Sequence, residues 1–120
     1  MAKKDKTFID PEGRKWDSHD EYGLYKWILE SGYQPELQYK FIPGRKFRAD
    51  FCLVDYKLII ECWGLDFNGY AGHNNMFTLI NDLKRHLLAV EHGWNIIYWC
   101  KGITKEDFLR CLHTYLSRFS

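Results

Sequence analysis

Apolar and polar positions change period several times along this chain of 120 residues, and each change marks a predicted element. Residues 1–15 are polar and carry a Pro11-Glu12-Gly13 turn signal, which predicts a loose N-terminal arm before a single domain spanning residues 16–120. Ser18 followed by Glu21 has the capping-box spacing that opens a helix. Leu24, Tyr25, Trp27 and Ile28 continue it at helical periodicity to the Ser31-Gly32 stop. Three strands are predicted next. Glu36–Phe41 alternates in period two as far as Pro43-Gly44. Phe47, Ala49, Phe51 and Leu53 alternate with Arg48, Asp50, Cys52 and Val54. Lys57–Trp63 is more continuously apolar, as a central strand would be. Gly64–Asn75 is rich in Gly and Asn and is predicted to be a long loop.

A second helix is expected from Asn75 to His92, ending at Gly93, with Met76, Ile80, Leu83, Leu87 and Val90 as its buried stripe. Trp94–Trp99 is the fourth strand. Thr104 with Asp107 opens a last helix, lined on one face by Phe108, Leu112, Tyr115, Leu116 and Phe119. The order α-β-β-β-α-β-α predicts an α/β domain of mixed α+β character, with a central four-stranded mixed sheet covered by helices.

Composition sharpens this picture in three respects. Apolar residues make up 46% of the chain, enough for one folded core and against a disordered chain. The formal net charge is only +1, so no overall positive field argues for a nucleic-acid partner. The basic residues are nonetheless clustered: Lys3, Lys4, Lys6, Arg14 and Lys15 in the N-terminal segment, and Lys40, Arg45, Lys46 and Arg48 on the approach to Asp50. The four cysteines contain no Cys-x-x-Cys pair, which speaks against a zinc site and for free thiols. No signal-peptide pattern and no long apolar span is visible, so the expected location is the cytoplasm, with no membrane partner.

The chemistry centres on two acids in unusual places. Asp50 and Glu61 each lie inside an apolar, β-prone run, where a carboxylate is disfavoured. A hairpin-length gap separates them, so adjacent strands can bring them side by side. Such a pair suits a hard divalent cation, Mg²⁺ or Mn²⁺, with the main-chain carbonyl of Cys62 and water as further ligands. The cation would activate water and stabilise charge on a phosphoryl oxygen. The plainer alternative pairs each acid with a nearby Arg or Lys. Glu21, on the inward stripe of the first helix, is either a third acid at the site or only the capping partner. His73 in the long loop is a candidate general base. Asp82, Arg85 and His86 share the polar face of the second helix, where Arg85 could contact phosphate and Asp82 support the site. Trp63 follows the acidic strand and could stack on a base, although packing is the commoner role.

In element order and motif spacing the chain resembles the PD-(D/E)XK nuclease superfamily, and within it the small Vsr-like or restriction-endonuclease-like domains of bacteria and phages. The resemblance runs through Trp16-Asp17-Ser18-His19-Asp20-Glu21, Gly44 to Phe51, Ile59 to Gly64, Gly72-His73, Asp82 with Arg85, and Gly93-Trp94. It implies a restriction-endonuclease-like core and Mg²⁺-dependent hydrolysis of DNA, in a bacterial cell or a phage-infected host. It also implies Asp50 and Glu61 as metal ligands, Glu21 as the acid completing the site, His73 as the loop histidine and Asp82 as the acid of the second helix. Two positions depart from the pattern. Trp63 stands where the superfamily usually has Lys, and Arg85 where related small domains have Lys.

The leading expectation is a metal-dependent DNA endonuclease, with Asp50, Glu61, His73 and Arg85 catalytic and Arg45, Lys46, Arg48 and Asp82 binding substrate. The alternatives are a DNA-binding module that keeps the nuclease fold without turnover, and a phage protein that binds a partner protein. Many nucleases cut both strands as dimers, so a homodimer stays open, although the sequence shows no pairing motif.

Overall fold

The computed structural model describes residues 7–63 and 75–119. Within them, three helices cover a four-stranded mixed sheet, and a short hairpin precedes the first helix.

The hairpin pairs β1 (Phe8–Ile9) with β2 (Lys15–Trp16) in antiparallel register. A loose polar arm was expected over this stretch, and one side chain explains the difference. Asp10 is buried, and its Oδ1 accepts hydrogen bonds from the backbone N–H groups of Glu12 and Arg14, each at 2.9 Å. Its Oδ2 accepts from Trp16 Nε1 at 2.8 Å. The carboxylate therefore stands in for turn hydrogen bonds and ties the turn to an indole. That indole is itself buried against Tyr22, Tyr25 and Phe51.

Helix α1 (His19–Glu30) begins as the capping pattern predicts, with Ser18 Oγ accepting from the Glu21 N–H at 3.1 Å. Strands β3 (Glu36–Lys40), β4 (Arg48–Leu53), β5 (Leu58–Cys62) and β6 (Asn95–Trp99) lie in that order across the sheet. The first two junctions are antiparallel, and β5 with β6 is parallel. Helix α2 (Asn75–Glu91) supplies the crossover that a parallel pair requires. Helix α3 (Lys105–Leu116) is capped by Thr104, whose Oγ1 accepts from the Asp107 N–H.

Two apolar layers sandwich the sheet. On one face, Phe51, Leu53, Leu58 and Ile60 pack against Leu24 and Ile28 of α1 and Phe108, Leu112 and Leu116 of α3. On the other, Cys52 and Ile59 meet Ala89 of α2, together with Phe41, Ile42 and Trp94. Cys62 packs toward the first layer and Cys52 lies in the second, as strand alternation requires. No helix among the described residues is long and apolar enough to cross a membrane.

Helix α2 corrects the sequence reading. Met76, Ile80, Leu83, Leu87 and Val90 were expected to be buried, and all five are exposed, Met76 at 65% and Leu87 at 67%. The helix turns its other face to the sheet, burying Ala89 and bringing Arg85 to Glu61. The physical reason lies in the sheet. A buried carboxylate without a counter-charge costs several kcal/mol, and Ala89, being small, lets the helix approach closely on that side.

Candidate active site

The site forms where β4 and β5 run side by side. Phe51 pairs with Ile60, and continuing that register by one residue sets Asp50 opposite Glu61. The two carboxyl groups share a hydrogen bond. Asp50 Oδ2 also accepts from the Cys62 backbone N–H at 2.9 Å. Glu61 Oε2 accepts from Arg85 Nη2 at 3.0 Å, and Arg85 Nη1 lies 3.8 Å from Asp82 Oδ1. Thus α2 brings to the sheet the polar face that the sequence reading assigned to Asp82, Arg85 and His86. His86 Nδ1 lies 3.0 Å from the Tyr98 hydroxyl, and the two rings stack at 5.8 Å. Trp63 also packs on Tyr98, with ring centroids 4.6 Å apart.

These groups line a cleft of about 380 Å³, bounded by Asp50, Glu61, Cys62, Trp63, Asp82, Arg85, His86 and Tyr98 with Phe41 and Ile96. A second cleft, about 290 Å³, opens on the other side of Asp50 and is lined by Arg14, Lys15, Trp16, Asp17, Glu21, Leu37, Gln38 and Asp50. Asp50 therefore borders both. Glu21 belongs to the second cleft and not to the first. Among the described residues no three acidic, His or Cys side chains converge on one point. Glu21, expected as the acid completing the site, meets Asp50 in this second cleft.

The electrostatics follow from burial. Glu61 is pushed up to about 8, first by burial and then by the charge of Asp50, with the Arg85 guanidinium pulling the other way. Burial and the neighbouring charge of Asp50 thus outweigh the pull of the Arg85 guanidinium on this group. Asp50 is raised as well, chiefly by burial, while its hydrogen bond from the Cys62 N–H opposes the rise. Glu21 is raised to about 7 by burial, then by the charges of Asp50 and Asp17. Burial also pushes the Cys62 thiol up, so it is no thiolate ligand at ordinary pH.

Among the expected substrate-binding residues, Asp82 lines the first cleft, whereas Arg45 and Lys46 line a neighbouring groove with Tyr39 to Gly44. Arg48 is exposed and reaches the Gln38 carbonyl at 3.5 Å. Besides Arg85 in the first cleft, Arg14 and Lys15 share the second cleft with Asp50, brought there by the hairpin, and Arg14 lies over the rings of Trp16 and Tyr25. His73 and the rest of the expected loop from Gly64 lie outside the described residues.

The sequence reading missed Gln38. It sits in the middle of β3 with φ +49°, a left-handed backbone that a strand residue rarely adopts, and its Nε2 approaches Asp50 Oδ1 at 3.5 Å. No sequence signal marks such a residue, because Gln is ordinary in an alternating strand. Left-handed backbone costs a non-Gly residue about 1–2 kcal/mol, and strain of this kind gathers at functional sites. Gln38→Gly is therefore expected to raise stability by about 0.5–1 kcal/mol, after Gly's own chain freedom is subtracted. The same change should slow any reaction at Asp50. Urea midpoints decide the first point: a lower midpoint in the variant means that the backbone there is not strained.

Comparison with known proteins adds no identity to this geometry. No family model, curated protein or solved structure matches the chain.

Proposed function

We propose that this protein is a divalent-metal-dependent DNA endonuclease with a restriction-endonuclease-like core. One observation carries the reading. The buried carboxyl group of Glu61 and the half-buried one of Asp50 share a hydrogen bond in the wall of a cleft, with the Arg85 guanidinium beside them. Their hard oxygen donors fit Mg²⁺ or Mn²⁺, with the Cys62 carbonyl and water completing the shell. A cation held there would supply Lewis-acid stabilisation of charge building on a phosphoryl oxygen.

The chain's own residues account for the remaining tasks. Arg85 is released from Glu61 to the extent that another positive charge neutralises that acid. Its Nε is buried and has no hydrogen-bond partner among the described residues, so it can donate to a phosphate oxygen. Arg14 and Lys15 hold the strand on the far side of Asp50. Trp63 and Tyr98 form an aromatic wall on which a base can stack. In the hydrolysis, water adds to phosphorus, a P–O ester bond breaks, one proton leaves the water and one joins the departing oxygen. His73 remains the candidate for the base that takes the first proton. Trp63, at the position the superfamily usually gives to Lys, can do no such proton transfer.

The decisive assay incubates purified protein with plasmid, nicked, mismatched and branched DNA in Mg²⁺ or Mn²⁺. Cleavage of at least one substrate, abolished by EDTA, is the expected result, and no cleavage of any of them sinks the proposal. A second reading draws on the 3.0 Å pair between Arg85 and Glu61, which already neutralises one acid. On that reading the protein binds DNA without turnover. It would bind DNA in a salt-sensitive way and show no affinity for Mn²⁺ at Asp50.

A further inference from the structure

We propose that the exposed face of α2 is a self-pairing surface, and that its occupant is α2 of a second copy of this chain. Met76, Ile80, Leu83, Leu87 and Val90 follow one another at intervals of four, three, four and three residues, and every one is exposed. That spacing has a mean period of 3.5, which is the seam of a coiled coil and not the broader stripe of a helix lying on a sheet. Met76 to Val90 spans about 21 Å at 1.5 Å per residue, two heptads of seam.

The helix cannot roll to bury this seam inside its own domain. Arg85 is two residues from both Leu83 and Leu87, which sets it about 200° around the helix from each. Its bond to Glu61 and the contact of His86 with Tyr98 hold the polar face inward. The seam is therefore exposed because the opposite face is engaged at the acids.

Area and symmetry point to the occupant. With Phe77, also exposed, six large apolar side chains line this side of the helix. At roughly 150–250 Å² for a large side chain and about half exposure, they present on the order of 600 Å², the top of the ~300–600 Å² range that monomers keep exposed. Two such faces together come to about 1,200 Å², the lower bound of a specific interface. A two-fold interface uses the same patch on both partners, so the covering helix must carry a matching exposed seam. Among the described residues only α2 has one, because α1 and α3 bury Leu24 and Ile28, and Phe108, Leu112 and Leu116. The pairing leaves the Glu61 cleft of each copy open, since Asp82 and Arg85, which line it, lie on the far side of the helix.

The test measures mass by analytical ultracentrifugation of the full chain from 1 to 100 µM, without DNA, so it is independent of nuclease activity. Wild type is expected to reach dimer mass within this range. Leu83→Glu and Leu83→Lys should each sediment as monomers with an unchanged far-UV spectrum, and an equimolar mixture of the two should recover the dimer. The recovery guards against loss of pairing through misfolding. A wild type that stays monomeric at 100 µM overturns the proposal, as does a dimer that both variants retain. Monomers that co-sediment with anionic phospholipid vesicles overturn it too, and assign the stripe to a membrane surface.

Discussion

Replacing Asp50 with Asn is expected to lower metal-dependent DNA cleavage by about 10³-fold or more, the several kcal/mol of transition-state stabilisation that a catalytic cation supplies. It should do so without unfolding the chain. Asn retains an oxygen that can accept from the Cys62 N–H, now bonded to Asp50 at 2.9 Å, and its amide can still face Glu61. The charge of Asp50 raises both Glu61 and Glu21, so removing it relieves repulsion and should make the metal-free protein more stable. The variant is therefore expected to combine lost cleavage with a higher urea midpoint, the trade of activity for stability that strained sites show. Cleavage by Asp50→Asn at the wild-type rate would falsify the assignment of this acid, whatever happened to stability.

The second large effect is on stability against pH. The unfolded chain binds protons at Glu21 and Glu61 with the ordinary value near 4.5, whereas in the fold these acids are raised to about 7 and about 8. Between those limits the folded state holds more protons than the unfolded state, so stability must fall as pH rises. The contribution is fully present below about pH 4.5 and is lost as pH climbs through 7 and 8. Asp50, raised from 3.8, acts in the same direction from a lower starting point. For the coupled group as a whole the loss should be roughly 2–4 kcal/mol without metal. Saturating Mg²⁺ should remove much of it, because a cation that binds the ionised acids stabilises only the folded chain. Urea midpoints at pH 5 and pH 8.5, with and without Mg²⁺, measure both effects, and Glu61→Gln should flatten the metal-free slope. A metal-free midpoint that does not move between these pH values would show that the acids are not held protonated by burial.

Much of the architecture was legible because its causes are local. Ser18 with Glu21 and Thr104 with Asp107 mark helix starts through side-chain bonds to nearby N–H groups, and both caps form. Period-two alternation located β3 and β4, and the continuous apolar run at Leu58–Cys62 announced a strand covered on both faces. Asp50 and Glu61 were visible as a pair because an acid in an apolar strand is anomalous wherever it occurs. What the sequence hid depends on contacts between distant elements. The turn of the first hairpin is made by Asp10 through Trp16, a pairing with no turn motif of its own. Consequently Arg14 and Lys15 read as part of an arm when they border the second cleft. The α2 stripe has a helical period, and period alone does not say what will cover it. The choice between faces was made by Glu61, which attracts Arg85 inward.

Among the described residues Asp50 is the one that lines both clefts, and its shared position ties them electrostatically. Whatever neutralises this carboxylate from the Tyr98 side makes Glu21, in the other compartment, easier to ionise. By reciprocity, occupancy beside Glu21 must change affinity beside Glu61 by the same factor. Occupancy of one compartment is therefore expected to be felt in the other, with a single side chain transmitting the coupling.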